Sequence, residues 1–164
     1  MEPTSAQLAQ QTLHAGSTIL VCAPAPDVRG LLRSVLSGDS RKIYEARTIR
    51  DAFGILARDR IAAIICQDHL SDGTWQDLQS AVANLPDPPN VLVLSDTMDE
   101  GLWPEVLNLG AYDVLMTPLD KSEVLRLTGL ACQNFHQKWR REPVSAGDSD
   151  PAVRSRTRPK VFAA

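Results

Sequence analysis

Short apolar runs recur along the chain, and each is followed by a stretch in which apolar residues return every three or four positions. The first run, Thr18 to Cys22, is β-branched in part and has no polar alternation, as expected of a strand covered on both faces. Pro24 and Pro26 punctuate it. From Asp27, residues Val28, Leu31, Leu32 and Val35 follow helical spacing until Gly38 supplies a stop. Lys42 to Ala46 is shorter and more polar, which suits an edge strand. Thr48 with Asp51 makes a capping-box-like start to a helix whose buried stripe is Ile49, Ala52, Phe53 and Leu56.

Ile61 to Cys66 is the most apolar run and therefore the predicted central strand. It ends in the loop Gln67 to Gly73, where Asp-Gly is a turn signal. A third helix is predicted over Thr74 to Asn84, broken by Pro86, Pro88 and Pro89 before a strand at Val91 to Ser95. A fourth helix over Asp99 to Leu109 closes at Gly110. Pro104 should set the start of its regular part, with Asp99 to Trp103 as a looser lead-in. Val114 to Met116 reads as the fifth strand. Asp120 with Glu123 opens a last helix that carries Val124, Leu127, Ala131, Phe135 and Trp139 along one side. Strand and helix alternate throughout, which implies a parallel sheet with helices on both faces.

If the last helix reaches Arg141 it is roughly 30 Å long and overshoots a compact domain. Phe135 and Trp139 are then expected beyond the sheet, available to a partner, to a second copy of the chain, or to a cap formed by Leu8 and Leu13. The 164 residues divide into an N-terminal segment (1–16) with the makings of a short helix, one domain (17–142), and a tail (143–164). The tail lacks periodicity and is expected to be disordered. Its Arg154, Arg156, Arg158 and Lys160 outweigh Asp148 and Asp150, a weak and salt-sensitive attraction for anything acidic.

A net charge of −3 argues against a dedicated nucleic-acid or membrane binder, and no run is long enough to cross a bilayer. The first sixteen residues lack the pattern of a secretory signal. Cys22, Cys66 and Cys132 have no metal-ligand spacing and fit reduced thiols, so a cytoplasmic location is expected. His69 between Asp68 and Asp72 lies in one loop without a recognised ligand spacing. No glycine-rich phosphate loop follows the first strand, and no catalytic triad stands out, so an enzyme is not expected.

Two motifs carry a family likeness. Leu70-Ser-Asp-Gly-Thr-Trp75 and Leu102-Trp-Pro-Glu-Val-Leu-Asn-Leu-Gly110, with the junction Gly110 to Asp120, resemble the receiver domain of response regulators over about Thr18 to Cys132. The resemblance implies a flavodoxin-like α/β fold, a doubly wound parallel sheet of order 2-1-3-4-5, with its functional crevice at the carboxyl ends of the strands. It also implies a place in phosphorelay signalling, with a histidine kinase or an output protein as candidate partner. In the family the fourth helix, fifth strand and fifth helix form the partner-binding face. Here that face would present Trp103, Pro104, Tyr112, Phe135 and Trp139.

Phosphoryl transfer to a receiver needs a carboxylate nucleophile, a magnesium ion held by further carboxylates, and a cation for the developing charge. At the matching positions this chain departs from the pattern. The acidic pair after the first strand falls on Ala23 and Pro24, the acceptor aspartate on Gln67, and the lysine on Thr117. The switch hydroxyl falls on Leu94, with Ser95 one place further on. Loss of the carboxylates alone would strand a buried cation, whereas their joint loss with the lysine leaves a neutral pocket. The expectation is a degenerate, phosphorylation-independent module that binds no Mg2+. Two alternatives stay open: a working receiver that uses Asp68 as acceptor, and a small α/β ligand binder or enzyme that reuses the neutral crevice. The resemblance further implies a cis peptide at Thr117-Pro118.

Overall fold

The computed structural model describes residues 17–39, 41–97 and 101–138. The expectations for residues 1–16, for Trp139 and for the 143–164 tail lie outside them. So do residues 98–100 of the lead-in to the fourth helix.

Five strands, β1 (Thr18–Cys22), β2 (Lys42–Ala46), β3 (Ala63–Gln67), β4 (Asn90–Ser95) and β5 (Asp113–Met116), form one sheet. Every pairing is parallel and the order is β2-β1-β3-β4-β5, so the polar β2 is at an edge and the apolar β3 is central. Five helices connect them: α1 (Pro26–Leu36), α2 (Ile49–Leu56), α3 (Trp75–Val82), α4 (Leu102–Asn108) and α5 (Lys121–Lys138). Two-residue strands at His69–Leu70 and Gly73–Thr74 pair antiparallel between β3 and α3.

Successive side chains of a strand point to opposite faces, so each strand feeds two cores. Leu20, Cys22, Ile64, Cys66, Val91 and Val93 pack under α2, α3 and α4 through Ala52, Leu78 and Val106. Ile19, Val21, Ile65, Leu92, Leu94 and Leu115 pack under α1 and α5 through Leu32, Leu36, Val124 and Phe135. All three cysteines are free and buried; the Cys66 thiol is pushed well up, first by the neighbouring Cys22 thiol and then by desolvation, and the Cys132 thiol is pushed up by desolvation.

Helix starts follow from local chemistry. The Thr48 side chain accepts the Asp51 N–H at 3.1 Å, and Asp51 Oδ2 accepts Arg47 N–H at 3.4 Å. Thr74 and Asp77 form a second capping box that the sequence reading missed. Asp120 Oδ1 accepts the N–H groups of Ser122 and Glu123. Gly110, at φ +93°, turns the chain out of α4 into β5 in a conformation that a side chain would strain.

Four expectations need correction. Strand β3 begins at Ala63 rather than Ile61, although Ile61 and Ala62 are buried at its entrance. On α2, Phe53 is exposed and Ile55 takes its place in the stripe, because the helix faces the sheet through Ile49, Ala52 and Ile55. Helix α4 begins at Leu102, two residues before Pro104. The proline sits within the first turn, where its missing N–H has no intrahelical acceptor to serve, and the first backbone bond is Glu105 N–H to Gly101 C=O. Phe135 does not overshoot the sheet. It is 1% exposed, with the Arg60 guanidinium 4.8 Å above its ring. Helix α5 is held over the strands' amino ends because Asn90 Nδ2 donates to Ala131 C=O and to Asn134 Oδ1, and Ser17 Oγ lies 3.0 Å from His136 Nε2.

Candidate functional site

The carboxyl ends of β1, β3, β4 and β5 come together at one edge of the sheet, drawn there by backbone bonds that extend the ladders. Asp68 N–H donates to Leu94 C=O at 2.9 Å, and Thr117 N–H donates to Ser95 C=O at 3.0 Å. Ala23, Gln67, Ser95 and Thr117 therefore lie at one end, as their motif positions require. The Thr117-Pro118 peptide is cis.

After β1, Ala23 and Pro24 offer no side-chain oxygen. The Arg29 guanidinium, on α1, places Nη1 2.7 Å from Ala23 C=O and 2.8 Å from Pro24 C=O, so a built-in cation already occupies the carbonyls of this loop. At β3, Gln67 is the last strand residue and pairs with Leu94. Its Oε1 is buried without a protein hydrogen-bond partner.

Leu94 itself does not reach the crevice. It is 2% exposed and belongs to the core under α1 and α5, so the hydroxyl at the end of β4 is Ser95, one residue on. Strand alternation is the reason: Leu94 shares a face with Leu92, and Ser95 shares the other with Val93.

Asp68 follows Gln67 and turns to the opposite face. It is 9% exposed, a depth at which a carboxylate needs partners for its oxygens. It has them: Oδ1 accepts His69 N–H at 3.0 Å and Oδ2 accepts the Ser95 hydroxyl at 3.0 Å. His69 Nδ1 lies 3.5 Å from Oδ2, but the imidazole is 82% exposed and its contribution is screened. Among the described residues no group of three or more His, Cys, Asp or Glu side chains is placed to hold a metal ion.

Asp72, from the same loop, serves structure. It accepts Ile49 N–H at 2.9 Å and Arg50 N–H at 3.1 Å, which caps the amino end of α2 from 23 residues away. These bonds, Ile49's first, hold its carboxyl below the usual range. Gly73 follows at φ +156°; a Cβ there would come within 2.7 Å of both Asp77 Oδ2 and Ile49 Cδ1.

The expected partner face divides. Trp103 is 59% exposed and Pro104 is exposed, with Leu107 and Leu109 half in solvent beside them. Trp103 Nε1 donates to Asp113 Oδ1 at 3.1 Å, and Gln76 Nε2 bonds Glu105 Oε1, so α4 is tied to β5 and α3. Tyr112 is half-buried against the α1/α5 core, and desolvation raises its hydroxyl. Phe135 is buried and cannot belong to an open surface.

Sheet order and the strand-to-helix junctions define a doubly wound parallel α/β domain with the fold of solved signal receiver domains. No protein-family model matches the sequence. The chain is similar to response regulator protein PilR of Pseudomonas aeruginosa, 26% identical over 137 residues, or 80% of this chain. It spans 30% of that protein's length. The fold matches the signal receiver domain of an HD domain-containing protein from Pseudomonas fluorescens at a TM-score of 0.69 and 22% identity, covering 74% of this chain and 98% of that one. It also matches the beryllofluoride-activated NtrC4 receiver domain dimer, at a TM-score of 0.67 and 19% identity, over 72% and 98% of the two chains. No described helix is long and apolar enough to cross a membrane.

Proposed function

We propose that this receiver-type domain acts in two-component signalling as a protein-interaction module that does not switch by phosphorylation. The observation that carries the reading is Gln67: the residue that ends the central strand at the crevice is an amide, which is not a usable nucleophile for phosphoryl transfer. The carboxylate one residue on supports the same reading, because both Asp68 oxygens are engaged and the side chain turns to the other face. Mg2+ does not fit the residues present. Its hard, near-octahedral shell wants carboxylate oxygens, while Ala23 and Pro24 supply none and Arg29 already sits on their carbonyls.

The contact surface in this reading is α4 with its approach to β5: Trp103, Pro104 and Leu107. A kinase or an output protein of the pathway is the partner class. Phosphotransfer tests the proposal. The full chain, incubated with Mg2+ and either labelled acetyl phosphate or a phosphorylated histidine kinase, takes up no label. Uptake that disappears in Asp68→Asn would establish Asp68 as a working acceptor and end the proposal.

One observation favours a second reading, in which the neutral crevice holds a small ligand. Gln67 Oε1 is buried without a protein partner and would be satisfied by a donor on a bound molecule or by water. A ligand-dependent rise in melting temperature that Gln67→Leu abolishes would support it.

A further inference from the structure

We propose that Asp68 is a built-in latch that fixes the Ser95 hydroxyl, and through it the turn after β4, in a single arrangement. This rests on the phosphorylation-independent reading above, since it makes the anion at this end of the sheet a residue of the chain itself. Four contacts converge on Ser95 Oγ: Asp68 Oδ2 at 3.0 Å, Thr97 Oγ1 at 3.1 Å, Thr97 N at 3.2 Å and Thr97 C=O at 3.4 Å. A hydroxyl has one proton to give and two lone pairs to receive with. The ionised carboxylate is the strongest acceptor within reach, so the proton goes to Asp68. Ser95 Oγ then accepts from the Thr97 N–H and hydroxyl, and the contacts become a one-way relay from Thr97 through Ser95 to Asp68.

The relay is anchored at its far end. Asp68 N–H is bonded to Leu94 C=O, Asp68 C=O accepts Trp75 N–H at 3.2 Å, and Oδ1 accepts His69 N–H. The carboxylate is thereby fixed between β3, β4 and the start of α3, whereas Thr97 is exposed and belongs to the turn that leads towards α4. A buried anion on a rigid strand end thus holds the first residues of a connection to the exposed Trp103 surface.

The Thr97 amide reports the latch directly, because it bonds Ser95 and not Asp68. Hydrogen exchange by NMR on the full chain compares wild type with Asp68→Ala, Asp68→Asn and Ser95→Ala. Loss of a charge-assisted hydrogen bond corresponds to about a tenfold to hundredfold change in a local opening equilibrium. Thr97 protection should fall about that much in Asp68→Ala and less in Asp68→Asn, which keeps an acceptor. The double variant Asp68→Ala/Ser95→Ala should lose no more than Ser95→Ala alone. Unchanged protection at Ile64 and Leu92 shows that the sheet is intact, and Asp68→Asn carries the test if Asp68→Ala unfolds. Thr97 protection within twofold of wild type in both Asp68 variants overturns the latch. Label uptake from acetyl phosphate with the Thr97 effect present would instead overturn the functional reading and leave the latch standing.

Discussion

The strand-end crevice and the α4 surface lie at neighbouring parts of the same fold but manage their side chains in opposite ways. Around the crevice, three charged groups are spent internally: Asp68 on Ser95 and His69, Arg29 on the carbonyls of Ala23 and Pro24, Asp72 on the start of α2. At α4, large apolar side chains are left in solvent, with Trp103 59% and Leu107 50% exposed. A site built for group transfer keeps polar groups available for a substrate, and a surface built for contact keeps apolar area available for a partner. The difference supports the proposed reading, in which contact rather than chemistry is the work of this domain.

Substitutions sharpen that contrast, beginning with the largest expected effect. Phe135→Ala should cost about 3–5 kcal/mol in chemical denaturation, as truncation of a buried aromatic does. A loss below about 1 kcal/mol would return Phe135 to the contact surface and weaken the division drawn above. Gly73→Ala should cost about 1–3 kcal/mol, since the new methyl meets Asp77 and Ile49 at 2.7 Å on a backbone at φ +156°. Urea melts that superimpose on wild type would mean that the loop adapts freely.

Asp72→Asn should lower the melting temperature modestly at neutral pH, with a definite pH signature. Its folded carboxyl is held below the ordinary carboxylate range, first by the Ile49 N–H, so it contributes stability that is present above that range. That contribution is lost as pH falls through the depressed folded value. The gap between wild type and Asp72→Asn should hold from neutral pH down to about 5 and close below about 4. A gap that widens on acidification would contradict the capping role. The smallest effect on stability, about 0.5 kcal/mol or less, is expected for Leu107→Ala, and Trp103→Ala should add little beyond its Asp113 bond. Both should reduce capture of the proposed kinase or output-protein partner in a pull-down. Undiminished capture would place the contact elsewhere.

The architecture was legible because it rests on periodicity. Continuous apolar runs marked strands covered on two faces, and Thr48, Asp120 and Gly110 announced where helices begin and end. What periodicity cannot supply is the relation between distant residues. Nothing local to Asp72 shows that it caps a helix 23 residues upstream, and nothing in the Asp68-His69 dipeptide shows that its carboxylate will be buried against Ser95. Leu94 and Ser95 are a narrower case. An alignment uncertain by one residue puts either at the switch position, and strand alternation decides between a core leucine and a crevice serine. Phe135 was misplaced because helix length was compared with an average domain, while the observed α5 is held over the sheet by Asn90, a polar residue at a strand's start.

The proposal that Gln67 supports no phosphoryl chemistry is tested most directly by amide NMR of the full chain titrated with beryllofluoride in the presence of Mg2+. Resonances of Gln67, Asp68, Ser95 and Thr117 should stay where Mg2+ alone leaves them. A saturable, Mg2+-dependent shift centred on these four residues would show that the crevice still accepts a phosphoryl-like group, and would contradict the account.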